Sequence, residues 1–295
     1  MTDRRDLRGY FGAEPAPCWP ENARLAVSFV VNVEEGAEYS IGDGDPRNES
    51  AYEKNELVEH VPDPCMETHF AYGPRRGYKR IVDAFDRVGA KATFSTCGRA
   101  AQRLPWLIQD VVQRGHEVSC HGWLWERHAN MDIETERAVI AKTHRAIADA
   151  SGSAPVGWHT RSASSPNTRA LLKEHGGFAY DSDVYDDDTP RMAGDHVILP
   201  YAFDTNDMRF APGGGFVQPH DFSDYVIAAF NRLYTEGATA ARMISIGLHL
   251  RTIGRPARIG ALETVLDHIT AHPDVWIAPR RDIAQCWKTT YGDSQ

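Results

Sequence analysis

Long apolar runs are missing from this sequence. The longest, residues 25–31, is far short of the roughly 20 residues a membrane-spanning helix requires. The opening Met-Thr-Asp-Arg-Arg-Asp has no apolar segment behind its charges, so neither a spanning segment nor an export signal is expected, and no membrane partner. Cysteine is scarce: Cys18, Cys65, Cys97, Cys120 and Cys286 are odd in number and scattered, with no Cys-x-x-Cys pair. That argues against a disulfide framework or a cysteine-zinc knuckle and suits a reduced cytoplasm, the location expected. Basic runs are also absent. With 32 Lys and Arg against 41 Asp and Glu, a net charge of −9, the chain lacks the electrostatic drive for tracking phosphates, and nucleic acid is not an expected partner. There is no internal repeat and no dinucleotide-binding glycine fingerprint: Val33-Glu34-Glu35-Gly36 places acids where those glycines belong.

What is present is a regular alternation. At 295 residues and 42% apolar, the chain fits one large domain over 1–295, opening with a polar, proline-bearing arm at 1–20. Residues 25–33 form a β-branched apolar run, the pattern of a strand covered on both faces. Residues 36–73, rich in Gly, Asp, Glu, Asn and Pro, read as a long loop rimming a site. From Pro74 the spacing turns helical, with Tyr78, Ile81, Val82, Phe85 and Val88 on one face and Gly89 as the stop. Strands follow at 92–96, 117–120, 156–157, 178–180, 243–248 and 275–278. They alternate with helices at 105–114, 133–150, 166–175, 222–234, 256–272 and 282–287. About seven β/α units specify an α/β fold with a parallel sheet, and suggest a distorted (β/α)7-type barrel over its competitor, the open doubly wound sheet.

In such a barrel chemistry gathers at the C-terminal strand ends. Those ends read Glu34-Glu35, His121-Gly122-Trp123-Leu124-Trp125, Trp158-His159-Thr160-Arg161, Asp181-Ser182-Asp183 and His249-Leu250-Arg251. Adjacent acids are usually solvated, but these follow a doubly covered strand, and neighbours along a strand point to opposite faces, so one of them must aim at the axis. His60, His69, His144, His175, His220, His268 and His272 read as ordinary core or surface histidines, and His116 as structural because it precedes its strand. Trp123 and Trp125 fit core and site equally well. Asp186-Asp187-Asp188 lacks calcium-loop spacing and reads as a solvated loop.

These pieces resemble the polysaccharide deacetylases of the NodB-homology type, whose fold is a distorted (β/α) barrel. The resemblance aligns Glu34 and Glu35 with that family's base and metal-ligand acids. Residues 115–121 match the approach to its ligand histidine, His121, and Leu248-His249 the motif of its acid histidine. The family's second ligand histidine is replaced by Trp125. A closer resemblance is to the branch of the bacterial allantoinase and cyclic imide hydrolases. It is carried by residues 121–125, 165–169, 180–183, 206–210, 247–251, 254–256 and 275–281, over most of the chain. That branch implies a soluble, oligomeric (tetrameric) enzyme that opens a small cyclic amide without metal or other cofactor. Loss of a ligand histidine agrees with it, since catalytic zinc takes three protein ligands and only Glu35 and His121 remain, unless His128 substitutes. Residues 126–128 and 158–163 differ from the allantoinase pattern, so the ring opened need not be allantoin.

The expected chemistry is hydrolysis of a cyclic imide or ureide. Glu35 is expected as base, its pKa raised by Glu34; His249 as acid; His121 as the group orienting water or carbonyl; Arg251 as charge stabiliser. Trp123 and Trp125 would wall the ring, with Glu34, His159, Arg161 and Asp183 completing the substrate site. The alternatives are a metal-dependent deacetylase of N-acyl amino sugars and a non-catalytic, ligand-binding relic of the fold.

Overall fold

The computed structural model describes residues 6–50 and 56–292; the first residues of the arm and residues 51–55 of the rim lie outside them. The run of Leu25–Val33 is strand β1, buried at every position, as its near-continuous apolar pattern requires. Around it lie β2 (Thr93–Thr96), β3 (Glu117–Cys120), β4 (Gly157–Trp158), β5 (Tyr180–Asp181), β6 (Arg191–Ala193), β7 (His196–Ile198), β8 (Arg242–His249) and β9 (Val275–Ile277). Their order is β6-β7-β5-β4-β3-β2-β1-β8, with β9 on the N-terminal half of β1. All pairings are parallel except β6 with β7.

The sheet curls into a half-barrel wrapped by helices α1 (Pro64–Tyr72), α2 (Tyr78–Val88), α3 (Gly98–Arg103), α4 (Pro105–Gln113), α5 (Ile133–Ser151), α6 (Thr168–His175), α7 (Pro219–Glu236), α8 (Ile259–Thr270) and α9 (Arg280–Tyr291). Between β7 and β8 the gap is spanned by the irregular residues 199–206. There Gly247 N–H donates to Thr205 O at 3.0 Å, Thr205 Oγ1 donates to Ser245 O at 2.5 Å, and Asn206 bridges Gly247. Inside the curl, buried Arg280 donates to Ser182 Oγ, Ser245 Oγ and the carbonyls of Leu199 and Pro200.

Register sets the site. Asn32 pairs His249, Val33 pairs Thr96, Thr96 pairs Cys120 and Cys120 pairs Trp158. The residues just past these pairs, Glu34, His121 and His159, therefore emerge side by side on one rim.

The rim is more ordered than its composition predicts. Asp63 caps α1 by accepting from the N–H groups of Cys65 and Met66, with Pro64 in the first turn where no N–H is needed. The helix then runs through a wide π turn, Gly73–Gly77, into α2, so Pro74 lies within a helical run instead of starting one. Gly77 lets that turn lie against the backbone of Leu250 and Gly254. The hairpin β6/β7 and helix α3 were not foreseen: three-residue strands and a single-turn helix show too little periodicity. At the opposite end of the sheet the arm is docked, with Trp19 buried on Trp276 and Trp287 and Ala241 N–H bonded to Pro15 O. Among the described residues no helix is long and apolar enough to cross a membrane.

Candidate active site

A narrow cleft opens at the C-terminal strand ends. Glu34 is at its floor, 1% exposed. Its Oε1 lies 3.6 Å from His121 Nε2 and 3.4 Å from His249 Nε2, and its Oε2 accepts from Arg251 Nη1 at 2.8 Å. Burial alone would raise the Glu34 pKa, but the charges of His249 and Arg251 outweigh it and hold the carboxyl well below the usual range.

His249 closes β8. Its Nδ1 donates to Asp207 Oδ1 at 2.6 Å, while its backbone N–H donates to Asp207 Oδ2 at 2.8 Å. Burial disfavours the imidazolium, yet Glu34 and Asp207 together push its pKa up to about 10. His121 Nδ1 bonds the His159 carbonyl at 2.6 Å. A carbonyl only accepts, so Nδ1 carries a hydrogen, and Nε2 is turned toward Glu34. His159 stacks on His121, with ring centroids 5.0 Å apart, and burial followed by the His121 charge holds its pKa well below the ordinary histidine value. Trp125 and Arg161 form one wall, and Tyr201, Asn206 and Met208 from the gap-spanning region and the turn after it form another.

Glu35, the expected base, and its neighbour Glu34 face different ways. Glu35 does not line the cleft; its carboxylate accepts from the backbone N–H groups of Arg251 and Glu34 and packs against Gly73. The anticipated pKa rise is there, to about 7, caused first by burial and then by neighbouring Glu34 against the pull of Arg251. It falls on the acid facing away, and reach precedes pKa in choosing a base. Arg251 also sits behind the floor, bonded to Glu34 and stacked over Phe70, outside the cleft lining. Trp123 lies under the ammonium of Lys142 and beside Gly98, outside the cleft lining. Asp183 holds the loop beneath the site by accepting from Thr160 N–H and Oγ1 at 2.6 and 2.7 Å. Burial, then neighbouring Asp181, raises its pKa to about 7.

Asn206 and Asp207 stand in the 206–210 motif of the resemblance without an expected role, and Asn32 and Tyr201 were not singled out. Asp207 opens a short 3-10 turn, Asp207–Phe210, that follows no apolar run, so the strand-end rule passes over it. The capping signal is present, because Asn206 accepts from Met208 N–H.

The metal site of the resembled family does not fit these residues. Trp125 replaces a ligand histidine, and its face is covered by the Arg161 guanidinium, 3.3 Å from Cζ to ring centroid. Glu35 points away from His121. His128, the possible substitute, is fully buried with Nδ1 on Glu136 Oε1 at 3.1 Å and lies outside the cleft lining.

Comparison with known proteins agrees with this architecture. A family model described as "Polysaccharide deacetylase" matches residues 59–179. The Schizosaccharomyces pombe protein named "Putative polysaccharide deacetylase" is 36% identical over 99% of both chains. The crystal structure of PuuE allantoinase superposes with a TM-score of 0.95 at 40% identity, covering 99% of each chain. That of a "probable Polysaccharide deacetylase" from Pseudomonas aeruginosa PAO1 gives 0.94 at 41%, covering 98% of this chain and 99% of that one. With a matching fold and full-length similarity, the chain belongs to the polysaccharide deacetylase family and is a hydrolase of that family.

Proposed function

We propose that the protein opens a small cyclic amide, an imide or ureide, by hydrolysis of a ring carbon–nitrogen bond, with no metal taking part. The observation that carries this reading is the placement of Glu34 Oε1 between the Nε2 atoms of His121 and His249, 3.6 and 3.4 Å away, on the floor of the cleft. Likeness to an allantoinase over nearly the whole of both chains supports it.

Each group begins in the protonation state its role needs. Glu34 is held ionised and His249 protonated. A water beside Glu34 and His121 donates a hydrogen to the carboxylate, with His121 orienting it. Glu34 takes that proton as the water oxygen attacks the ring carbonyl, whose π pair moves onto oxygen. The imidazolium of His249 lies beside the developing negative charge and stabilises it. As the tetrahedral intermediate collapses, the C–N bond breaks and His249 Nε2 hands its proton to the leaving nitrogen. The product is the ring plus one water, opened to an acid and an amide or urea. An imide nitrogen shares its charge with a second carbonyl, so the leaving group demands less electrophilic help than a simple acetamide.

The test is turnover of allantoin, dihydrouracil, succinimide, glutarimide and an N-acetyl amino sugar, with metal content measured, before and after exhaustive chelation. Ring opening at an undiminished rate is expected. Acetate release from the amino sugar that disappears on chelation and returns with zinc overturns the reading in favour of a metal-dependent deacetylase. Binding without turnover of any compound overturns it in favour of a non-catalytic ligand-binding protein.

A further inference from the structure

Resting on the ring-opening reading above, we infer that the ring carries an anionic substituent, a carboxylate, and that Arg161 is the residue that recognises it. Arg161 lines the same cleft as Glu34. Its side chain is only 10% exposed and its Nε is buried with no hydrogen-bond partner. Nη1 donates to the Trp125 carbonyl at 2.6 Å and more weakly to Glu49 Oε2 at 3.5 Å, an ion pair too long for a strong charge-assisted bond. A nine-tenths-buried guanidinium matched by its acid only at that distance keeps positive charge to offer a ligand in the cleft.

The surrounding loop holds this cation in place. Thr160 is clamped from both its N–H and its hydroxyl by Asp183, and the Ala163 carbonyl accepts from the N–H groups of His128 and Ala129. Between them Ser162 is at φ +47°, a left-handed conformation costly for a residue with a Cβ, and such strain collects at ligand-binding loops. The Trp125 ring beneath the guanidinium orients its plane.

The other cations of the site are held by closer acids, His249 by Asp207 at 2.6 Å and Arg251 by Glu34 at 2.8 Å. Glu34 repels an incoming anion, so the substituent belongs at the Arg161 wall and the scissile carbonyl at the floor. A flat guanidinium fork pairs best with a planar two-oxygen group, hence a carboxylate.

Hydantoin bearing a 5-carboxymethyl group and its uncharged 5-carbamoylmethyl analogue test this, since they differ in charge at nearly equal size. The wild-type protein is expected to favour the carboxylate in kcat/KM by about tenfold or more, mostly through KM. Arg161→Met should collapse that ratio to near unity, and Arg161→Lys should keep part of it. No preference in the wild type, or equal losses on both compounds in Arg161→Met, overturns the inference. If neither ring is opened, calorimetric binding of both compounds to Glu34→Gln protein, with and without Arg161→Met, separates the two readings. Carboxylate binding that needs Arg161 keeps the anion site while the ring-opening reading falls; no such binding overturns both.

Discussion

Asp207 grips His249 at two points, with Oδ1 2.6 Å from Nδ1 and Oδ2 accepting the backbone N–H of His249 itself. One carboxylate thus fixes the position, tautomer and charge of the proposed acid. Asp207→Asn leaves an amide that supports the imidazolium poorly, and kcat is expected to fall about a hundredfold or more. Because Asp207 helps push the His249 pKa up, its loss should also move the alkaline limb of the kcat/KM–pH profile toward lower pH. A profile with an unmoved alkaline limb would remove Asp207 from this role.

Glu34→Gln and Glu35→Gln should separate sharply. Replacing the acid on the cleft floor is expected to lower kcat by about 10²–10⁴-fold. Replacing the one behind it should cost far less turnover, since the isosteric amide disturbs only the seating of Arg251 and the rim. Steady-state rates of the two variants, with circular dichroism to confirm folding, decide whether the base is the first or second acid of the pair.

Stability should depend on pH through Glu35. Its folded-state pKa is raised from 4.5 to about 7. Across that window the folded protein holds a proton the unfolded chain has released, so stability falls as pH rises. The limiting slope for one group is about 1.4 kcal/mol per pH unit. Glu35→Gln removes this contribution, and urea titrations between pH 4.5 and 7 should show a correspondingly flatter decline than the wild type.

Gly77 is expected to tolerate no side chain. A Cβ there collides with the Leu250 carbonyl, a backbone atom that cannot swing aside. Gly77→Ala should destabilise by about 1–3 kcal/mol. It should also reduce turnover, because Leu250 lies between His249 and Arg251. Chemical denaturation and kcat measured on the same preparation test both effects.

Much of this molecule is legible in its sequence. The nearly continuous apolar run of β1, the glycine-stopped helices and the polar strand ends follow from periodicity and caps, and register alone brings Glu34, His121, His159 and His249 together. Which of two adjacent acids faces the cleft was not legible. Alternation says only that they diverge; the choice comes from Gly73 and Arg251 enclosing Glu35, both supplied by distant parts of the chain. Trp123 and Trp125 posed the same problem, settled by Gly98 and Lys142 for one and by Phe70 and Arg161 for the other. Asp207, inside the 206–210 motif, had no expected role because it belongs to no strand.

The seam between β7 and β8 carries a consequence for how the protein fails. Elsewhere around β1 neighbouring strands are joined by ladders, but here residues 199–206 meet β8 through a few bonds at Thr205 and Asn206 and through the grip of Arg280 on two carbonyls. Asp207 follows this segment directly, and His249 ends the strand across the seam. A local opening there would part the two while the rest of the sheet stays paired, at a free energy below that of global unfolding. Heat inactivation would then run ahead of melting, and amide exchange at Gly247 would be faster than in the middle of β1.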